Sequence, residues 1–197
     1  IDTAAQTVTA LTPDGAETFD YDALVLAPGA AAARPPLSGI DSPRVRTLRT
    51  VADAVDLRTR VDDGARRAVV LGAGYIGIEA AEALRHRGLE VDVVELAPHA
   101  LPRIERELAQ VAADELEHLG IRVHPGIAAT SIGDDGVQAT VTLSDGRELI
   151  ADVVVLSVGV RPDTAFVADA GIATERGAIV VDEIGRASCR ERVYACV

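Results

Sequence analysis

The sequence contains no lysine, asparagine, methionine or tryptophan. All 19 basic residues are therefore arginine, against 31 acids, for a net charge of −12 at pH 7. That balance argues against nucleic acid and anionic membrane surfaces as partners, because like charges repel. Aromatics are only 3% of the 197 residues, so Val, Leu, Ile and Ala must fill the core. No apolar run reaches membrane-spanning length and no secretory signal is visible, which leads us to expect a cytoplasmic protein. Without a methionine, Ile1 is not expected to be the natural start.

Cysteine is nearly absent as well. Cys189 and Cys196 lie in the last nine residues, and none precedes them. From about Glu183 the chain loses its apolar period. Residues 183–197 read like the translation of an adapter oligonucleotide, so this tail is expected to lie outside the native fold. The rival reading is a C-x6-C redox pair or metal half-site. Two thiols complete no metal site, and no metal is expected.

What is present centres on Val69-Val70-Leu71-Gly72-Ala73-Gly74-Tyr75-Ile76-Gly77-Ile78-Glu79. Val69 to Leu71 suit a central parallel strand. Gly72, Gly74 and Gly77 form G-x-G-x-x-G. The first allows a tight turn, the second removes a Cβ from the path of a pyrophosphate, and the third lets helix pack on strand. The helix N-terminus then faces the phosphates. Ile76, Ala80, Ala83 and Leu84 are spaced for one helical face, and Gly88 follows as a C-terminal cap. Val91 to Val94 make the next strand, ending at Glu95, about 20 residues past the first glycine, where an acid accepts from a ribose 2′-OH. A 2′-phosphate would meet the negative charge of Glu95, and the next arginine after it is Arg103. NADH is therefore favoured over NADPH.

Other segments read in turn. Val8 to Leu11 and Glu17 to Phe19 flank a turn at Asp14-Gly15. Tyr21 to Ala30 suggests a buried strand ending in a glycine turn, and residues 31–39 a linker. Thr50 to Val61 suggests a helix capped by Thr50 and Asp53, with Val51, Val55 and Leu57 as its apolar positions. A helix is expected from Arg103 to Leu119, with Ile104, Leu108, Val111, Ala112, Leu116 and Leu119 on one face. Ile121 to Val123, Ala128 to Ile132, Val137 to Leu143 and Asp152 to Gly159 read as strands. Thr164 to Ala170 suggests a short helix and Ala178 to Val181 a strand.

A repeat is visible. Asp14-Gly15 followed by Asp22-x6-Gly29 recurs as Asp145-Gly146 followed by Asp152-x6-Gly159. A hairpin followed by a parallel strand closes a dinucleotide domain. The expected fold is thus α/β: two nested Rossmann-like, three-layer dinucleotide-binding domains, one complete and one truncated. Residues 1–64 would hold the end of the truncated domain's first segment plus a linker helix. Residues 65–158 would form the complete domain, and 159–182 would return to the first.

On these motifs residues 1–182 resemble the pyridine nucleotide-disulfide oxidoreductase family. Leu24-Val25-Leu26-Ala27-Pro28-Gly29 is similar to the family's central motif, with Pro28 in place of its usual threonine. Gly159-Val160-Arg161-Pro162 is similar to its return to the flavin domain. The stretch from Tyr75 to Leu101 most resembles the coenzyme A-disulfide reductase and NADH oxidase branch. The resemblance implies an enzyme with FAD and NADH as cofactors. Gly72, Ala73, Gly74, Tyr75, Ile76, Gly77, Glu95 and Gly159 would serve NADH, and Ala27, Pro28 and Gly29 would serve FAD. Tyr75 would cover the flavin until nicotinamide displaces it, or simply pack at the helix start. Glu79 would reach towards the flavin, or answer the helix dipole. The acceptor would be a low-molecular-weight disulfide, a persulfide or oxygen, reached through a cysteine absent from residues 1–182, in a homodimer. Two alternatives are a reductase of a ferredoxin or rubredoxin partner, and a non-catalytic NAD-binding module.

Overall fold

Ala68, Val69 and Val70 are buried on both faces of their strand, as an apolar run flanked by further strands should be. The structure is a computed structural model that describes residues 1–188 and 193–195. Cys189 and Cys196 lie outside the described residues. The chain divides into two compact units, one built from residues 1–31 and 160–197, the other from residues 32–159.

In the discontinuous unit, β1 (Thr7–Thr12) and β2 (Gly15–Asp20) form an antiparallel hairpin, and β3 (Leu24–Leu26) follows. The chain leaves through β4 (Ala30–Ala32).

The continuous unit opens with β5 (Val45–Thr47) and α1 (Val51–Asp62). Next come β6 (Arg67–Leu71), α2 (Tyr75–His86), β7 (Glu90–Glu95), α3 (Arg106–His118) and β8 (Arg122–Pro125). Strands β9 (Ala129–Asp134), β10 (Ala139–Leu143) and β11 (Glu148–Ala151) form an antiparallel sheet, and β12 (Val153–Leu156) completes a five-stranded sheet of order β5-β12-β6-β7-β8. Every pairing in that sheet is parallel.

Period-two alternation sorts its side chains into two cores. Ala68, Val70, Val91, Val93, Val153 and Val155 pack with Leu57 and Val61 of α1, Ala80, Ala81 and Leu84 of α2, and Leu116 of α3. Val69, Leu71, Val94, Val154 and Leu156 pack with Ile132, Ala139, Val141 and Leu143 of the antiparallel sheet. The result is three layers: helices, parallel sheet, antiparallel sheet.

The chain re-enters the first unit through β13 (Val160–Pro162), a 3-10 turn at Ala165–Ala170, and the short pair β14 (Thr174–Glu175) and β15 (Ala178–Ile179). Strands β16 (Arg186–Ser188) and β17 (Val193–Ala195) follow, with β17 parallel to β3. Leu26, Val167, Ile172, Ile179 and Val193 form the core of this unit.

Several expectations need correction. The division falls after Ala31 and Gly159, not after residue 64, because β5 pairs with β12 and α1 sends Leu57 and Val61 into the helix-side core. Val51 and Val55 of α1 are exposed, although the Thr50–Asp53 capping box forms as read. On α2 the buried face is Gly77, Ala80, Ala81 and Leu84, while Ile76 and Ala83 are exposed. Small residues here sit against the sheet, where larger ones would hold the helix off. Helix α3 starts three residues later than expected, and Leu108 and Val111 are exposed. Strand β3 is shorter than the Tyr21–Ala30 reading, with Val25 exposed. The tail from Glu183 reads in the sequence as lying outside the native fold. Its described residues include β16 and β17, and Val193 is buried in one core with Leu26.

Candidate dinucleotide site

The C-terminal ends of β6, β7 and β12 converge on the glycine loop. Parallel strands place their C-terminal ends together, and there α/β sheets bind ligands. Gly72 has φ +101°, and a Cβ on it would stand 2.4 Å from the Ser157 carbonyl oxygen. Both facts require glycine. A Cβ on Gly77 would lie 1.9 Å from the Gly72 carbonyl oxygen and 3.3 Å from Ser157 Oγ. Gly77 is therefore the close-approach glycine that seats α2 on the sheet. Gly74 differs from both. A Cβ there would meet nothing within 4 Å, so its lack of side chain opens space rather than relieving a contact.

Gly74 is also the N-cap of α2, with no side-chain cap and no acid in the first turn. The N–H groups of that turn have no intrahelical acceptors, and the helix end is positive. An anion fits both the open space and the donors.

Glu95 ends β7 and fixes the loop. Its Oε2 accepts from the Ala73 N–H at 2.7 Å, and its Oε1 accepts from the Ala97 N–H at 2.7 Å. The Ala73 carbonyl accepts from the Leu101 N–H at 2.8 Å. Ala73 is thus spent inside the protein: its side chain is buried and both backbone groups are engaged. It shapes the loop and offers no group to a ligand. Each Glu95 oxygen keeps acceptor capacity for a hydroxyl.

Tyr75 is 62% exposed, so packing at the helix start does not account for it. Ile76 and Glu79 are exposed on the same helix. Gly159 is exposed with φ +104°. In the other unit, Ala27 and Gly29 are exposed just past β3, Pro28 is half-buried, and the Gly29 carbonyl accepts from the Asp163 N–H at 3.1 Å.

Two contributors escaped sequence reading. Ser157 packs on both Gly72 and Gly77, and its N–H donates to the Leu71 carbonyl at 2.8 Å. A small residue just past a buried strand is its one signal. Leu101, in a left-handed conformation with φ 50°, anchors Ala73 and has no sequence signal at all.

The chain is similar to known proteins. Residues 1–196 match the family described as Pyridine nucleotide-disulphide oxidoreductase. The ferredoxin–NAD(+) reductase component of the biphenyl dioxygenase system of Paraburkholderia xenovorans is 38% identical over 173 residues, covering 87% of this chain and 42% of that protein. The NADH oxidase of Methanocaldococcus jannaschii is 35% identical over 187 residues, covering 93% of this chain and 41% of that protein. Among solved structures, an NAD-dependent persulfide reductase from A. fulgidus superposes with a TM-score of 0.92 at 34% identity, covering 99% of this chain and 36% of that one. The chain thus spans less than half the length of these relatives. The match across almost its full length, joined to the glycine loop and Glu95, shows that the chain belongs to the pyridine nucleotide-disulphide oxidoreductase family, whose cofactors are FAD and NADH.

Proposed function

We propose that the chain carries the NADH site of an FAD-dependent oxidoreductase. The observation that carries this is Gly74, whose open side faces an uncapped helix N-terminus beside the pinned carboxylate of Glu95. In this reading the first-turn N–H groups of α2 hold the pyrophosphate. Glu95 accepts from the ribose 2′-OH and turns away a 2′-phosphate by charge. Tyr75 and Ile76 border the nicotinamide end of the site, with Gly159 bringing backbone close and Glu79 one turn further along α2. Ala27, Pro28 and Gly29 serve FAD through backbone groups. Bound NADH supplies a hydride and FAD accepts it, which is cofactor chemistry that the chain orients rather than performs.

Residues 1–182 contain no cysteine. A disulfide, persulfide or oxygen-type acceptor would therefore be reduced through a thiol lying outside them, in a cytoplasmic homodimer. A second reading, reduction of a ferredoxin or rubredoxin partner, needs no thiol. It is favoured by the 38% identity to the P. xenovorans ferredoxin–NAD(+) reductase component.

NADH and NADPH titrations of wild type, Gly74→Val and Glu95→Gln test the site. Gly74→Val should lose NADH binding at least tenfold with unchanged thermal stability. Glu95→Gln should weaken NADH and narrow the gap to NADPH. Undiminished NADH affinity in Gly74→Val would overturn the assignment.

A further inference from the structure

Asp92 lies in β7 with only 6% of its surface exposed, among the valines of the antiparallel-sheet side. A carboxylate is tolerated there only if fully paired. Arg122 of β8 grips it with two hydrogen bonds, Nε to Oδ1 at 2.9 Å and Nη2 to Oδ2 at 2.7 Å. His124 of the same strand adds Nε2 to Oδ1 at 2.8 Å. The other ring nitrogen, Nδ1, is 3.2 Å from Nη1 of Arg147, which lies in the turn between β10 and β11. Arg147 in turn pairs with Asp145 at 2.7 Å, and Glu90 stands 3.8 Å from Arg122.

One assignment satisfies every donor and acceptor of this row. Ionised Asp92 only accepts, so Nε2 of His124 carries a proton. A guanidinium only donates, so Nδ1 must be bare. In this arrangement His124 donates from Nε2 to Asp92 and accepts at Nδ1 from Arg147. A second proton on Nδ1 would point at the Arg147 guanidinium, replacing a hydrogen bond with donor-to-donor repulsion. The Asp92 contact would persist and strengthen.

We propose that His124 is a pH-sensitive latch that ties the β10–β11 turn to the edge of the parallel sheet and releases it on protonation. The charged groups around it divide cleanly. Asp92 of β7 favours the imidazolium, as does Asp145 more distantly, while Arg122 of β8 and Arg147 of the turn oppose it. Release therefore frees Arg147, the exposed member, and leaves Asp92 paired. Glu90 stands beside Arg122.

Two measurements on the protein, each made at about pH 8 and at about pH 5, test the latch. Long-range proton–nitrogen NMR should show Nδ1 of His124 bare at the upper pH. Hydrogen exchange of the Leu143–Glu148 amides, corrected for intrinsic pH dependence, should quicken about fivefold at the lower pH, as loss of one ordinary hydrogen bond predicts. In Arg147→Gln that quickening should vanish, with exchange fast at both pH values. A proton on Nδ1 at the upper pH overturns the proposal. So does equal corrected exchange at both pH values in wild type, or a quickening that survives in Arg147→Gln.

Discussion

The segments Asp22–Gly29 and Asp152–Gly159 share spacing, an acid at the start, apolar residues in the middle and a glycine at the end, yet they live in different surroundings. Val155 is fully buried, whereas Val25 at the matching position is 61% exposed. Asp152 accepts from the backbone N–H groups of Arg66 and Arg67 at 2.8 and 2.9 Å and from Arg67 Nη2 at 3.1 Å, while Asp22 is exposed. Ser157 packs against two glycines, whereas Ala27 at the matching position is exposed. Strand β12 sits between β5 and β6 with a layer on each face. Strand β3 pairs with β17 alone among the described residues. One local pattern thus produces a core strand or a half-exposed one, according to what neighbours it.

The sharpest break in this comparison lies where β12 meets the glycine loop. Gly72→Ala must accept both a left-handed backbone and a carbonyl at 2.4 Å. Chemical denaturation should show a loss above about 3 kcal/mol. Next come the matched valines. Val155→Ala should cost about 2–3 kcal/mol and Val25→Ala less than about 0.5 kcal/mol. Equal losses would mean that Val25 is covered in the protein.

The acids should separate by pH as well as by size. Burial pushes the Asp152 carboxyl up, but the hydrogen bonds from Arg66 and Arg67 outweigh it and hold the carboxyl below the usual aspartate range. Its contribution is present above the ordinary aspartate pKa of about 3.9 and is lost as pH falls through the lower folded value. Asp152→Asn should therefore destabilise by about 1.5 kcal/mol at neutral pH, with the gap to wild type closing below about pH 4. Asp22→Asn should cost little at either pH. Smaller losses than that of Asp152→Asn should come from the hairpin glycines. Gly15 and Gly146 have φ +125° and +86° with open space around both, so alanine at either should cost only backbone strain, about 1 kcal/mol.

The glycine loop was legible because its spacing reports a backbone need, and Gly72 and Gly77 meet the close contacts that spacing implies. The helix faces were less so. Apolar periodicity selected Ile76, Leu108 and Val111, which are exposed, and passed over Gly77, Ala81 and Ala109, which are buried. Small residues carry a weak hydrophobic signal, yet they are what a helix lying close on a sheet requires. Glu95 was legible as an acid in the right place. Its hold on Ala73 and Ala97 was not, because those partners are chosen by the loop's path.

What the sequence determined by itself is local: a strand, turn and helix in register with an acid, and a repeated hairpin and strand. Each depends on residues within a few tens of positions, whose spacing survives whatever packs around them. Tertiary structure decided the rest. It assigned β5 and α1 to the second unit, buried one copy of the repeat and half-exposed the other. It also brought Asp92, His124 and Arg147 into one row across 55 residues of chain. Burial and charge pairing depend on which strands become neighbours, and strand order is a property of the whole sheet.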